Sequence, residues 1–314
     1  MNNTNHITGL LFASLAIFIW GITFVCTKYL LKSFSAFEIL FIRFILAYLA
    51  LRLLHRDSIH VKAKKEELYF MLAGFSGVAA YQLLENMALA YTSASNVSII
   101  VSVCPIFAAI LSQIILKEKH LTLTFMLGFI LSISGIALVS FNGVVVFHLS
   151  PKGDLLALSA AVCWGIYSIC ISKLNAMGFS SMLVTRRVFH WAIIFMIPIA
   201  IISLLMNNPS DNLKIFLDAG TNAKRFSDPL NWFNLSFLGL GASAFCFSAW
   251  SIACDKLGTI KASLGIYLIP VVTIIFAFFV LGERITLMGA AGSILTIAGL
   301  FVSSIKKNSG EVNE

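Results

Sequence analysis

The sequence predicts an all-α integral membrane protein whose ten transmembrane helices are built as two inverted five-helix repeats. Three observations carry that prediction. Hydrophobic residues make up 59% of the 314-residue chain, they fall into ten continuous runs, and the first half of the chain matches the second. Charged residues are only 11%, against ~25% in a soluble domain, and the mean hydropathy is +0.93. A water-soluble surface cannot be covered with so few charges, so soluble globular classes are excluded.

The elements follow in chain order. Residues 1–8, MNNTNHIT, hold no Lys or Arg, and the apolar run after them continues to Leu31 without a small-residue cleavage site. That reads as a first transmembrane helix and not as a removed signal peptide. Nine further runs have cores at 36–54, 68–90, 95–116, 122–141, 153–172, 179–206, 234–254, 259–281 and 286–305. Each is near the ~20 residues that cross ~30 Å of hydrocarbon, and continuous rather than alternating apolar character excludes barrel strands. The divisions are least marked at YTSAS (91–95) and between Asp255 and Thr259. The one substantial polar segment, 207–233, is rich in Asn, Asp and Pro. It reads as a surface loop with a helical turn near Ile215–Leu217, or as a lid.

Basic residues set the expected orientation. Twelve fall on the N-terminal side of the bilayer (Arg52, Arg56, Lys62, Lys64, Lys65, Lys117, Lys119, Lys173, Lys256, Lys261, Lys306, Lys307) and seven on the other (Lys28, Lys32, Lys152, Lys214, Lys224, Arg225, Arg284). The bias places both termini in the cytoplasm and the chain in a cell inner (plasma) membrane. The net charge of +8 is scattered through short connections, which suits an anionic membrane face and not nucleic acid. Cys26, Cys104, Cys163, Cys170, Cys246 and Cys254 all lie in apolar runs without a CxxC unit, so neither a disulfide framework nor a metal site is expected, and no cofactor is implied.

The internal match is the most informative feature. IFIWGITFVCTKYL in the first span resembles AAVCWGIYSICISKL in the sixth, which places Trp20-Gly21 on Trp164-Gly165 and, at the same offset of 144, Arg43 on Arg187. Later the offset is 165, placing Pro105 on Pro270 and Glu118 on Glu283. The repeats occupy 9–141 and 153–305, the added length being mainly the 207–233 loop. Five spans per copy is an odd number, so the copies take opposite orientations. Inverted repeats that meet at mid-membrane present one central site alternately to each side.

These motifs resemble the ten-span EamA family of the drug/metabolite transporter superfamily. The resemblance rests on WG in spans one and six, on ALAYTSASNVSIIVSVCPIFAAILSQIILKEKHLT (88–122) and on its partner CDKLGTIKASLGIYLIPVVTIIFAFFVLGERIT (254–286). It implies a transporter and no catalytic residue, with Pro105 and Pro270 as helix-distorting residues. It also implies end-of-span markers at Glu118 beside Lys119 and at Glu283 beside Arg284, and a cavity lined by spans one, three, four, six, eight and nine. The two copies differ where Glu85 faces a counterpart Trp250 and Asn96 a counterpart Lys261.

Single residues are weighed against bland alternatives. Arg43 and Arg187, the latter beside Arg186 and a turn before His190, either hold an anionic group of the substrate or gate the path. Alternatively they snorkel or pin helices together. Glu85, with Gln82 and Asn86 on the same side of span three, either carries a coupling proton or pairs with an arginine. Trp20, Trp164, Tyr81, Tyr167, Trp250 and Tyr267 either wall a cavity for planar or apolar cargo or serve as packing and interfacial aromatics. Pro105 and Pro270 interrupt spans four and nine, either for binding or for packing. Glycines such as Gly74, Gly77, Gly128 and Gly135 read as packing alone.

The expectation is a secondary active transporter of small organic solutes (amino acids, related metabolites or drugs), exporting them by alternating access. No GxxxxGK[ST] loop for ATP and no HExxH metal motif is present. A membrane scaffold or receptor, or a membrane-embedded enzyme, is the alternative. The expected partners are a small-molecule substrate and membrane lipid; proton coupling and oligomeric state stay open, and a monomer suffices for the architecture.

Overall fold

The computed structural model describes residues 3–54, 57, 61, 63–117, 122–141, 150–205, 223–283 and 286–304. Among these residues the fold is helical throughout. Span one is Asn3–Leu30 and span two Ala36–Leu54. Span three joins Lys64–Ala73, Gly74–Ala80 and Tyr81–Tyr91, and span four joins Ala94–Val101 to Cys104–Leu116. Span five is Leu123–Phe141, span six Pro151–Ala176 and span seven Ser181–Leu205. Span eight runs Pro229–Leu257, span nine joins Thr259–Ser263, Leu264–Leu268 and Ile269–Leu281, and span ten is Leu287–Ser304. Spans one, four, six, seven and eight each contain a stretch long and apolar enough to cross a bilayer.

Sequence punctuation explains most boundaries. Span two opens on a reciprocal capping box: the Ser35 hydroxyl accepts from the Glu38 N–H at 3.2 Å, and the Glu38 carboxylate accepts from the Ser35 N–H at 2.9 Å. Spans four, six and eight start at Ser93, Ser150 and Asp228, whose side chains accept from the Asn96, Gly153 and Leu230 N–H groups. Pro151 and Pro229 follow two of these caps at the first helical turn, where no N–H is needed. Span eight therefore starts at Pro229, a turn earlier than its apolar core, and span one includes the polar Asn3–Thr8. The markers Glu118 and Lys119, the side chain of Lys261, residue Arg284 and residues 206–222 of the polar loop lie outside the described residues.

Packing partners exchange in step between the halves. Span one packs on spans eight and nine, and span six packs on spans three and four. The WG pairs make this possible. A Cβ on Gly21 would lie 2.5 Å from Val272 of span nine, and one on Gly165 would lie 3.0 Å from Phe107 of span four. Spans five and ten form a tightly joined pair: a Cβ on Gly128 would stand 2.2 Å from the Ser303 nitrogen, and one on Gly299 2.5 Å from the Ser132 nitrogen.

Candidate functional site

Seven spans converge on one interior cavity. Span one supplies Trp20, Thr23 and Phe24, span two Arg43, and span three Tyr81, Gln82 and Glu85. Span four supplies Val101 and Cys104, span six Trp164, span eight Phe247, and span nine Ile266 and Ile269. Every one of these residues is buried. The cavity measures about 30 Å³, room for a water or two at ~10–15 Å³ each, whereas organic ligands occupy pockets of ~300 Å³ or more. The protein is therefore closed around its centre, and admitting a solute requires the walls to part.

Charge is concentrated in this small space. Arg43, 1% exposed, donates from Nε to the Ser243 hydroxyl at 2.5 Å and from a terminal nitrogen to Gln82 Oε1 at 2.7 Å. Its guanidinium also lies over the Phe44 ring, 5.3 Å from the centroid. Glu85, 3% exposed, lies one turn after Tyr81 on span three and within electrostatic reach of Arg43. A cation, a carboxyl group and a primary amide thus face one buried volume, where electrostatic interactions are stronger than in water.

The walls are aromatic. Trp20 and Trp164 meet edge to face at 5.5 Å, Trp20 lies 5.2 Å from Trp250 and 5.6 Å from Phe247, and Trp164 lies 5.0 Å from Tyr81. The repeat-related tryptophans differ in one respect. The Trp20 indole N–H donates to the Ala242 carbonyl at 3.0 Å, while the Trp164 indole N–H is buried without a partner. Buried donors are rarely left so.

Two features escaped sequence reasoning. Spans three and eight each change to a π-helix in mid-course, at Gly74–Ala80 and Phe237–Phe245. Such wide turns are often found at functional sites. Each is followed at once by cavity residues, Tyr81, Gln82 and Glu85 in one half and Phe247 in the other, and Ser243 sits within the second. The spacing of Gly74, Gly77, Gly239 and Gly241 is the only sequence signal, and it reads equally well as packing. The breaks at the prolines were signalled: Pro105 and Pro270 each start a fresh helix, after a turn at Ser102–Val103 and a 3-10 segment at Leu264–Leu268. Val101, Cys104 and Ile269 flank these breaks, Ile266 lies within the second, and all four line the cavity.

Of the residues singled out in the sequence, Trp20, Arg43, Tyr81, Glu85 and Trp164 come together in the lining, with span two an addition to the expected set. Tyr167 and Trp250 form a second aromatic layer, 4.9 Å and 6.3 Å from Trp164. Tyr267 is buried next to Ile266, and Asn86 is turned to the Ala36 carbonyl at 3.0 Å, tying span three to the start of span two. Arg187 and His190 stand apart from the lining. Arg187 pairs with Glu67 of span three at 2.5 Å and lies over Phe70, while the exposed His190 stacks loosely on Tyr48 at 5.9 Å. Trp191 donates to the same Glu67 carboxylate.

Arg187 ties two helices together through a partly exposed ion pair. Arg187→Ala is expected to change stability by no more than about 1 kcal/mol and to leave solute flux at the parent rate. Thermal unfolding in detergent and flux in vesicles check both; lost flux at unchanged stability would put Arg187 in the transport path.

No group of three or more His, Cys, Asp or Glu able to hold a metal ion occurs among the described residues. Comparison with known proteins agrees with a transport reading. An Archaeoglobus fulgidus protein named "Uncharacterized transporter" is 27% identical over 98% of this chain and 100% of its own. YyaM of Bacillus subtilis, also named an uncharacterized transporter, is 26% identical over 90% of this chain and 89% of its own. A Streptantibioticus cattleyicolor protein named "Probable terminal-alkyne amino-acid exporter" is 26% identical over 74% of this chain and 71% of its own. One solved crystal structure shares the fold over 97% of each chain, with a TM-score of 0.61 at 14% identity. The sequence profile of the EamA-like transporter family matches residues 7–141 and again 151–305, which is nearly the whole chain. The chain is a multi-pass membrane protein and not an enzyme, and it belongs to the EamA-like transporter family.

Proposed function

We propose that this protein is a secondary active exporter of small organic solutes, amino acids and related metabolites or drugs, working by alternating access in a cell inner membrane with both termini cytoplasmic. The observation that carries the reading is the buried Arg43 beside Glu85 in a central, aromatic-walled cavity. Charges at this depth are costly, ~2.5–3.5 kcal/mol each on insertion scales, and mark transport paths. The guanidinium uses only part of its donor fork on Ser243 and Gln82, which leaves donors for a cargo carboxylate. The unpartnered Trp164 N–H is a further donor, and the indole and phenyl faces suit an apolar or planar body.

The in-step exchange of packing partners supports two inverted halves, 9–141 and 153–305, that rock about this centre. Glu85 is the group that carries the coupling proton, since it is the acid that faces the cavity. Similarity to a protein named as an amino-acid exporter supports amino acids as cargo.

An untargeted comparison of solutes inside and outside cells expressing the protein or an empty vector tests the reading. The expected result is a solute depleted inside and enriched outside only with the protein. The reverse gradient would replace export by uptake, and no difference across media and pH would count against export.

A further inference from the structure

The spans that line the cavity are tied together at one end by a polar cluster that cavity binding does not require. Gly282 ends span nine in the left-handed region, at φ 68°, and this turn carries Glu283 across to the start of span four. There its carboxylate accepts from the Ala94 N–H at 2.9 Å, the Ser95 N–H at 3.2 Å and the Ser95 hydroxyl at 2.7 Å. An anion on the first N–H groups of a helix satisfies donors that have no intrahelical partner and meets the positive end of the helix dipole.

Two further contacts surround it. Lys28, near the end of span one, donates to the Leu89 and Thr92 carbonyls at the end of span three, at 2.5 and 2.7 Å, and lies close enough to interact with the Glu283 charge. Asn96 of span four donates to Asp154 of span six at 2.6 Å. Glu283 and Asp154 belong to the second half, and Ala94, Ser95 and Asn96 to the first. The cluster therefore joins 9–141 to 153–305 at the end where span one closes and span four begins.

The same piece of span four reaches the cavity. Ala94–Val101 is a separate short helix, cut from Cys104–Leu116 by the turn at Ser102–Val103, and Val101 and Cys104 on either side of the cut line the cavity. Releasing its N-terminus would let this segment swing about the turn and draw Val101 away from the wall.

We propose that Glu283, seated on the N-terminus of span four with Lys28 beside it, is the clasp that holds one mouth of the cavity shut. In the orientation proposed above this is the outer mouth. The clasp is local and electrostatic, so it opens without unpacking the tight pair of spans five and ten. The inference rests on alternating access, but it is testable without knowing the cargo.

Cys104 lines the cavity and is 1% exposed, so it is a native reporter of opening. The protein carries Ala in place of the other five cysteines, in intact cells, and a membrane-impermeant thiol reagent is added outside. The parent protein is expected to react slowly, and Glu283→Gln and Lys28→Met to react about tenfold faster, a shift equal to about 1.4 kcal/mol. Glu283→Ala, which also loses the hydrogen bonds, should exceed Glu283→Gln. Detergent-solubilised elution profiles establish that each variant is folded.

Folded variants that react at the parent rate would overturn the clasp, as would a parent whose Cys104 already reacts rapidly from outside. Faster reaction in the variants only from the cytoplasmic side, in inverted vesicles, would keep the clasp and overturn the orientation. A parent that moves no solute while its Cys104 responds to Glu283→Gln would overturn the transport reading alone.

Discussion

Arg43→Ala is expected to cut export about ten- to a hundredfold while the protein still inserts and folds into the membrane. Removing a buried guanidinium relieves an insertion cost of ~2.5–3.5 kcal/mol, so span two enters the bilayer at least as readily. The transport loss comes from the cavity. Arg43 is its guanidinium, held by Ser243 and Gln82, and a charged hydrogen bond to cargo is worth ~1.5–3 kcal/mol, or about ten- to a hundredfold in flux. Leaving Glu85 without a nearby cation also destabilises the closed centre, and Arg43→Gln with Glu85→Gln should recover that stability but not transport. Flux in vesicles and thermal unfolding of the single and double variants separate the two effects. Parent-level flux in Arg43→Ala would remove Arg43 from the cargo site.

Glu85→Gln is expected to uncouple transport rather than to stop it. Glutamine keeps the size and a carbonyl acceptor, but it cannot take up or release a proton. Net solute movement driven by an imposed pH gradient should fall by about tenfold or more, the weight of a single charged interaction. Exchange of labelled for unlabelled solute needs no proton movement and should continue. Full pH-driven movement in this variant would show that another group, or another gradient, drives the cycle.

What the sequence revealed follows from the solvent. A bilayer demands long apolar runs and satisfied backbone, so the long helices, their order and most of their limits were legible, as was the break at each proline. Arg43 was legible because a charge so far into a span is costly, whether it serves the cargo or pins helices together. The repeat, however, gave Arg187 the same standing, and the structure separates them. Arg43 meets Ser243 and Gln82, whereas the matching stretch of span three holds Val78 and Ala79, and the counterpart of Gln82 is Phe247. Without polar partners at the centre, Arg187 turns instead to Glu67 at the end of span three. Ser243, Thr23 and Cys104 were invisible for the opposite reason, since small residues in an apolar run look like packing. The π-helical segments were equally hidden: a wide turn has no composition of its own and depends on neighbours such as Tyr167, whose ring lies 2.1 Å from where a Gly77 Cβ would stand. The clasp had a trace in the sequence, the glutamate at the end of span nine, but its partners at Ala94 and Ser95 lie 189 and 188 residues away.

The most direct test of alternating access about the Arg43 cavity is exchange in liposomes holding the purified protein, with the exported solute radiolabelled inside. Unlabelled solute placed outside is expected to speed the exit of label several-fold, and Arg43→Ala to cut both the exit and its stimulation about tenfold or more. Exit at a rate indifferent to outside solute and to Arg43→Ala would contradict the account, because a carrier with one central site cannot behave so.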